Sequence, residues 1–243
     1  MTTFNQPLIT APPESAIACN LAAIPADERA AHTVRAASLL FDSAATRTDL
    51  PDGAIWQFPI ERYADVVRFI ANERRCCAFF SFVLTILPER AGVQLQITGS
   101  ATVAAFLQAE LAQHGIPLPG ATAILPAGDH ADYPVVCDLT TLTPEENIAI
   151  ADLAKRLLCT DYAERQELPD GYVWRFAPDE YEALARFIEA DSRCCAFLTH
   201  RLAVAAEGGS LWLSITGSAT AKAAVGADLE RLHEEIAQAT PSS

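Results

Sequence analysis

Six of the seven cysteines fall into two sets of identical make-up. Cys76 and Cys77 are adjacent and follow Cys19; Cys194 and Cys195 are adjacent and follow Cys137 at the same separation. An acidic residue, Glu73 in one set and Asp191 in the other, stands three positions before each pair. Adjacent cysteines near a helix end do not readily close on each other, because a disulfide needs Cβ atoms about 3.5–4.5 Å apart and suitably staggered. They can instead turn sulfurs toward a third thiol that the fold supplies. Soft thiolates suit thiophilic ions. Three sulfurs without a fourth protein ligand favour trigonal acceptors such as Hg(II), As(III) or Cu(I) over structural Zn(II), which usually takes four. The carboxylates allow a second chemistry, in which sulfur holds an organomercurial and Glu73 or Asp191 delivers the proton that releases the carbon. A third is thiol redox exchange, with Cys76 or Cys77 as nucleophile and Cys19 resolving, although the C-x-x-C spacing is missing. Against all three stands plain packing, since a free cysteine behaves as a small hydrophobe. Cys159, alone and without a partner set, is assigned to the core on that basis.

The two sets belong to a repeat. Residues 19–111 align with residues 137–229 at a constant offset of 118 without a gap, and 36 of the 93 positions are identical. Leu50-Pro51-Asp52-Gly53 matches Leu168-Pro169-Asp170-Gly171, Trp56 matches Trp174, and Ile97 to Thr102 matches Ile215 to Thr220. A period this long indicates a duplicated domain, because solenoid units run about 20–50 residues. The expected division is a first repeat over 1–114, a Pro/Gly linker over 115–134 and a second repeat over 135–243, with the copies packed as an internal pseudo-dimer and a homo-oligomer also possible. Five histidines, His32, His114, His130, His200 and His233, have no histidine at the aligned position. No imidazole therefore recurs as ligand or base, and all five are expected at the surface or partly buried. Arg75 and Arg193 are possible partners for the acidic residues, although neighbouring positions point elsewhere on a regular helix.

The elements that must position the cysteines follow from hydrophobic spacing. Ile17 to Leu21 is short and apolar and predicts a strand carrying Cys19; Ala26 to Phe41 predicts a helix. After the Pro51-Asp52-Gly53 turn, Ala54 to Phe58 alternates as a strand. Tyr63, Val66, Val67, Ile70, Glu73 and Cys77 recur at three and four, which predicts an amphipathic helix from Ile60 to about Cys77. Phe80 to Leu87 and Gly92 to Thr98 form a hairpin, and Gly99 to His114 is a closing helix with Ser100 as its N-cap. The fold class is α+β: two tandem β-α-β-α-β-β-α units, with a mainly antiparallel sheet and helices on one face. Trp56 and Trp174 are expected core anchors. The ITGSAT segments lack the glycine spacing and lysine of a phosphate loop, so no organic cofactor is indicated.

The chain has 243 residues and a net charge of −14, with no basic cluster. That argues against direct nucleic-acid or anionic membrane partners, which require a positive face. With neither a signal peptide nor a spanning segment expected, the compartment is the cytoplasm, where thiols stay reduced and a disulfide framework is not expected. The segment Glu73-Arg74-Arg75-Cys76-Cys77-Ala78-Phe79-Phe80, with Cys19-Asn20-Leu21 and Trp56, resembles small bacterial E-x-x-C-C-x-F domains, free-standing or appended to MerR-type regulators and associated with mercury and metal resistance. The resemblance covers both repeats. It implies sensing or sequestration of a metal or organometal by Cys19, Cys76, Cys77, Cys137, Cys194 and Cys195. The second copy departs from the first with Asp191 for Glu73 and Ser192 for Arg74.

Overall fold

Each Leu-Pro-Asp-Gly segment closes a two-residue hairpin. In the computed structural model, which describes residues 17–41, 45–113, 133–159 and 164–239, β1 (Thr46–Leu50) turns into β2 (Gly53–Phe58) with Leu50 opposite Gly53. β5 (Glu164–Leu168) turns into β6 (Gly171–Phe176) in the same way. Glycine is required at both turns by close approach, because a Cβ at Gly53 or Gly171 would collide with the carbonyl of Ile97 or Ile215. The remaining strands are β3 (Ser81–Ile86), β4 (Val93–Thr98), β7 (Thr199–Val204) and β8 (Leu211–Thr216). The helices are α1 (Arg29–Leu40), α2 (Tyr63–Cys76), α3 (Ala101–Gln113), α4 (Pro144–Leu158), α5 (Tyr181–Cys194) and α6 (Ala219–Ala239).

The eight strands of the described residues form one antiparallel sheet in the order β1-β2-β4-β3-β7-β8-β6-β5. Residues 17–113 and 133–239 thus supply its two ends in mirrored order, and β3 pairs with β7 in the middle. Paired residues share a face, and one row crosses six strands: Trp56, Leu95, Leu84, Leu202, Leu213 and Trp174. None of the six is more than 1% exposed. Burying each such side chain contributes on the order of 1.5–3 kcal/mol or more, so this row is the central element of the core. The two tryptophans anchor it as expected: Trp56 donates its indole N–H to the carbonyl of Leu40 at the end of α1, and Trp174 donates to Leu158 at the end of α4. The opposite sheet face carries partly exposed Gln94, Gln96, Trp212 and Ser214.

Two expectations are corrected. Ile17 to Leu21 is not a strand: Ile17 to Asn20 has no regular structure, and Leu21–Ala23 is a 3-10 turn. Asn20 imposes this by accepting a hydrogen bond from the Ala22 amide, a local side-chain cap that competes with strand pairing. The strands β1 and β5, by contrast, were hidden. Thr-Arg-Thr-Asp-Leu and Glu-Arg-Gln-Glu-Leu show no apolar alternation because they are the sheet's edges, where charge blocks further pairing. The order in each half is therefore α-β-β-α-β-β-α. The β3–β4 hairpin and the helices at α1, α2 and α3 lie where the sequence puts them within a few residues, and Ser100 accepts from the Val103 amide as a cap. Most of the expected linker, and His114 and His130 with it, lies outside the described residues.

The halves clasp each other by equivalent contacts. Tyr63 donates its hydroxyl to the carbonyl of Ala185, and Tyr181 donates to Val67. Arg74 donates to the Pro178 carbonyl and stacks over the Tyr181 ring, while Arg90 donates to the Ser192 hydroxyl. Burial pushes both tyrosine hydroxyls well above their ordinary range, so each stays a neutral donor. Among the described residues, no helix is long and apolar enough to cross a membrane.

Two candidate thiol clusters

The helix ends make the clusters. α2 terminates at Cys76, and Cys77 caps it, donating its backbone N–H to the carbonyl of Glu73. α5 ends the same way at Cys194 and Cys195, with Cys195 bonded to Asp191. Both turns are then fixed from two sides. The amide of Asn20 donates to the carbonyl of Cys76 at 2.7 Å, and that of Asp138 to Cys194 at 2.8 Å, which carries Cys19 and Cys137 to their respective pairs. From the other half, the Glu207 amide donates to the Ala78 carbonyl and the Glu89 amide to that of Ala196. Glu89 and Glu207 both adopt positive φ, near 55°, to make these bonds. Non-glycine residues in that region carry strain of about 1 kcal/mol or more, and here it falls on the turns that hold the cysteine loops.

The sulfurs converge as the spacing suggests. Cys76 Sγ lies 3.4 Å from Cys77 Sγ, and Cys194 Sγ lies 3.7 Å from Cys195 Sγ. Two sulfurs each about 2.3 Å from a common ion would stand about 3.8–4.0 Å apart, so a shift of a few tenths of an ångström suffices. Potential ligand atoms gather in three groups within 4.8 Å: Cys19 with Glu73 and Cys77, His32 with Glu73 and Cys76, and Asp191 with Cys194 and Cys195. The adjacent pairs are buried, whereas Cys19 and Cys137 are exposed, so each cluster opens to solvent on the side of its third cysteine.

The two clusters are not in the same state. Cys19 and Cys77 are joined as a disulfide. The expectation of free thiols throughout is corrected here, because the Asn20–Cys76 bond brings the Cys19 and Cys77 backbones to a Cα separation of 4.6 Å, within disulfide range. Cys137 and Cys195, at the matching positions, are free. The Cys195 thiol donates to Cys137 and holds it below the ordinary thiol range, while the Cys195 thiol itself is pushed far up. In the first cluster Cys76 is pushed up to about 12, by burial first and then by the charge of Glu73. Cys159 is buried outside both clusters, and burial raises its thiol also.

The partners of the acidic residues also differ from expectation. Arg75 makes no ion pair with Glu73, and Arg193 binds Glu146 and Glu189 instead of Asp191. Each carboxylate meets a histidine: His32 Nε2 lies 2.8 Å from Glu73 Oε2, and His200 Nε2 lies 2.7 Å from Asp191 Oδ2. His32 is 3% exposed and His200 0%. Both are buried, where the sequence predicts surface or partly buried positions. Alignment could not find them because they occupy different elements, His32 on α1 and His200 on β7. No sequence signal marks them, because the aligned positions hold Ile150 and Phe82 and only the folded chain brings each imidazole to its carboxylate. His233, on α6, bonds its own helix carbonyl at Leu229.

No family model, curated protein or solved structure matches this chain.

Proposed function

We propose that the protein binds a thiophilic metal ion or organometal cation, of the mercury or arsenic type, at each of its two cysteine clusters. The observation that carries this reading is that an adjacent cysteine pair stands beside a carboxylate at each of two helix ends, with a third cysteine linked to the pair, Cys19 by its bond to Cys77 and Cys137 by the Cys195 thiol. Burial and the charge of Glu73 keep Cys76 protonated until an ion displaces the proton, and the exposed Cys137 offers the entry point to the second cluster. The mirrored strand order and the equivalent clasps support reading the chain as a tandem duplication folded as an internal pseudo-dimer.

The test is native mass spectrometry of reduced protein with Hg(II) or As(III) in the presence of glutathione, which competes away binding to isolated thiols. One ion per cluster is expected. Undiminished uptake after Cys76→Ser with Cys77→Ser and Cys194→Ser with Cys195→Ser would overturn the proposal. Turnover of an excess organomercurial in the same assay, lost in Glu73→Gln with Asp191→Asn, would convert binding into cleavage with the carboxylate as proton donor.

One observation favours a second reading. The Cys19–Cys77 disulfide beside the free Cys76 thiol is an arrangement for thiol exchange, with Cys76 or an external thiol attacking and Cys19 or Cys77 leaving. Equilibration against glutathione redox buffers decides it, since an exchange protein passes oxidation to a second dithiol and a binding protein does not.

A further inference from the structure

His32 and His200 sit at unrelated positions in the repeat. At the offset of 118, His32 aligns with Ile150 and His200 aligns with Phe82, so each half has an apolar residue where the other has its histidine. The imidazoles nevertheless reach the same place. One approaches the carboxylate three residues before the cysteine pair from α1, the other from β7, with Nε2 within 2.8 Å of an acidic oxygen in both cases. Each does so at a cost, because both are buried and in both the second ring nitrogen, Nδ1, has no hydrogen-bond partner. A histidine retained only for packing would stay at one aligned position, as Trp56 and Trp174 do. Two independent routes to one contact indicate that the contact itself is what each half keeps.

We infer that His32 and His200 are interchangeable positioning residues, one per cluster, that hold the Glu73 and Asp191 carboxylates toward the cysteine pairs. The inference rests on the ion-binding reading above and assigns it a further group. The distances fit positioning more closely than ligation. A nitrogen and an oxygen bound to one ion at about 2.0–2.2 Å each would stand about 3.4 Å apart, whereas 2.7–2.8 Å is a charge-assisted hydrogen bond. In the first cluster the same Glu73 Oε2 that meets His32 also lies 3.7 Å from Cys76 Sγ, so the imidazole fixes the oxygen nearest the sulfur. The His32 ring is itself fixed, stacked on Phe69 at 5.8 Å and 17°. Asp191 is one methylene shorter than Glu73, and its histidine comes from the sheet below instead of from a neighbouring helix.

The experiment moves the imidazole. One cluster at a time is studied in reduced protein whose other adjacent pair is serine, with Cd(II) titrated against a competing chelator and followed by thiolate charge-transfer absorption. His32→Ile and His200→Phe, each the residue found in the opposite half, are expected to weaken binding by about 10–100-fold, as loss of an outer partner to a metal ligand does. The relocated variants, His32→Ile with Phe82→His and Ile150→His with His200→Phe, are expected to recover most of it. Unchanged affinity in the single variants overturns the inference, as does loss without recovery in relocated variants that unfold at the wild-type temperature. Where a single variant does not fold, His32→Gln or His200→Gln, together with the relocated variant, gives the same decision. Absence of Cd(II) binding to the wild type overturns the ion-binding reading and this inference together, a pattern distinct from failure of the histidine role alone.

Discussion

The two clusters have the same parts in different conditions. In the first, Cys19 and Cys77 are joined and Cys76 is a lone, strongly protonated thiol against Glu73. In the second, all three thiols are free, and Cys137 is held below the ordinary thiol range because Cys195 donates to it. The backbone frame is nearly identical, since the same amide holds the third cysteine and the same opposite-half turn holds the loop. A common frame with two thiol states shows that the frame permits both a disulfide and an open dithiol. Exchange between them needs an oxidant or reductant and no refolding.

The largest expected consequence concerns ion uptake. Protein with the Cys19–Cys77 bond intact has only Cys76 left in the first cluster and should bind one ion fewer than fully reduced protein, read by native mass spectrometry. Equal uptake in both states would remove the distinction between the clusters. Next comes stability. Trp56→Ala and Trp174→Ala should each cost about 3–5 kcal/mol. Because β3 pairs with β7 and the leucine row crosses the junction, each should lower a single cooperative transition in thermal unfolding. Two separated transitions would mean that the halves fold independently.

The smallest effect is kinetic and separates the thiols within the clusters. With limiting iodoacetamide near neutral pH, Cys137 should be alkylated ahead of every other cysteine by about tenfold or more, since the thiolate is the nucleophile. Peptide mapping reads the order. In protein with the Cys19–Cys77 bond intact, the Cys137 rate should level off below the ordinary thiol range, while that of Cys76 climbs toward pH 12. A thiol raised on folding contributes fully below its unfolded value, and that contribution is lost as pH rises toward 12, so alkaline pH should weaken the fold around Cys76.

Much of this arrangement is legible in the chain. Spacings of three and four place α2, and the Leu-Pro-Asp-Gly segments place both hairpins, because periodicity and turn chemistry are local. The edge strands β1 and β5 are not legible, since their role requires them to be polar. Cys19 does meet the adjacent pair, as the disulfide partner of Cys77, but the expected strand that carries it is a loop, because Asn20 caps a turn.

By itself the sequence determined which residues the clusters draw on: three cysteines and a carboxylate, twice, at helix ends and at one offset. It did so because these residues recur at a constant offset of 118 while most of the positions around them differ. Only the tertiary structure decided that β3 meets β7 in a continuous sheet, that Cys19 closes on Cys77 while Cys137 stays open, and that each carboxylate has a histidine. His32 and His200 share no alignment position, and a contact between residues 41 apart in one half and 9 apart in the other exists only where packing brings them together.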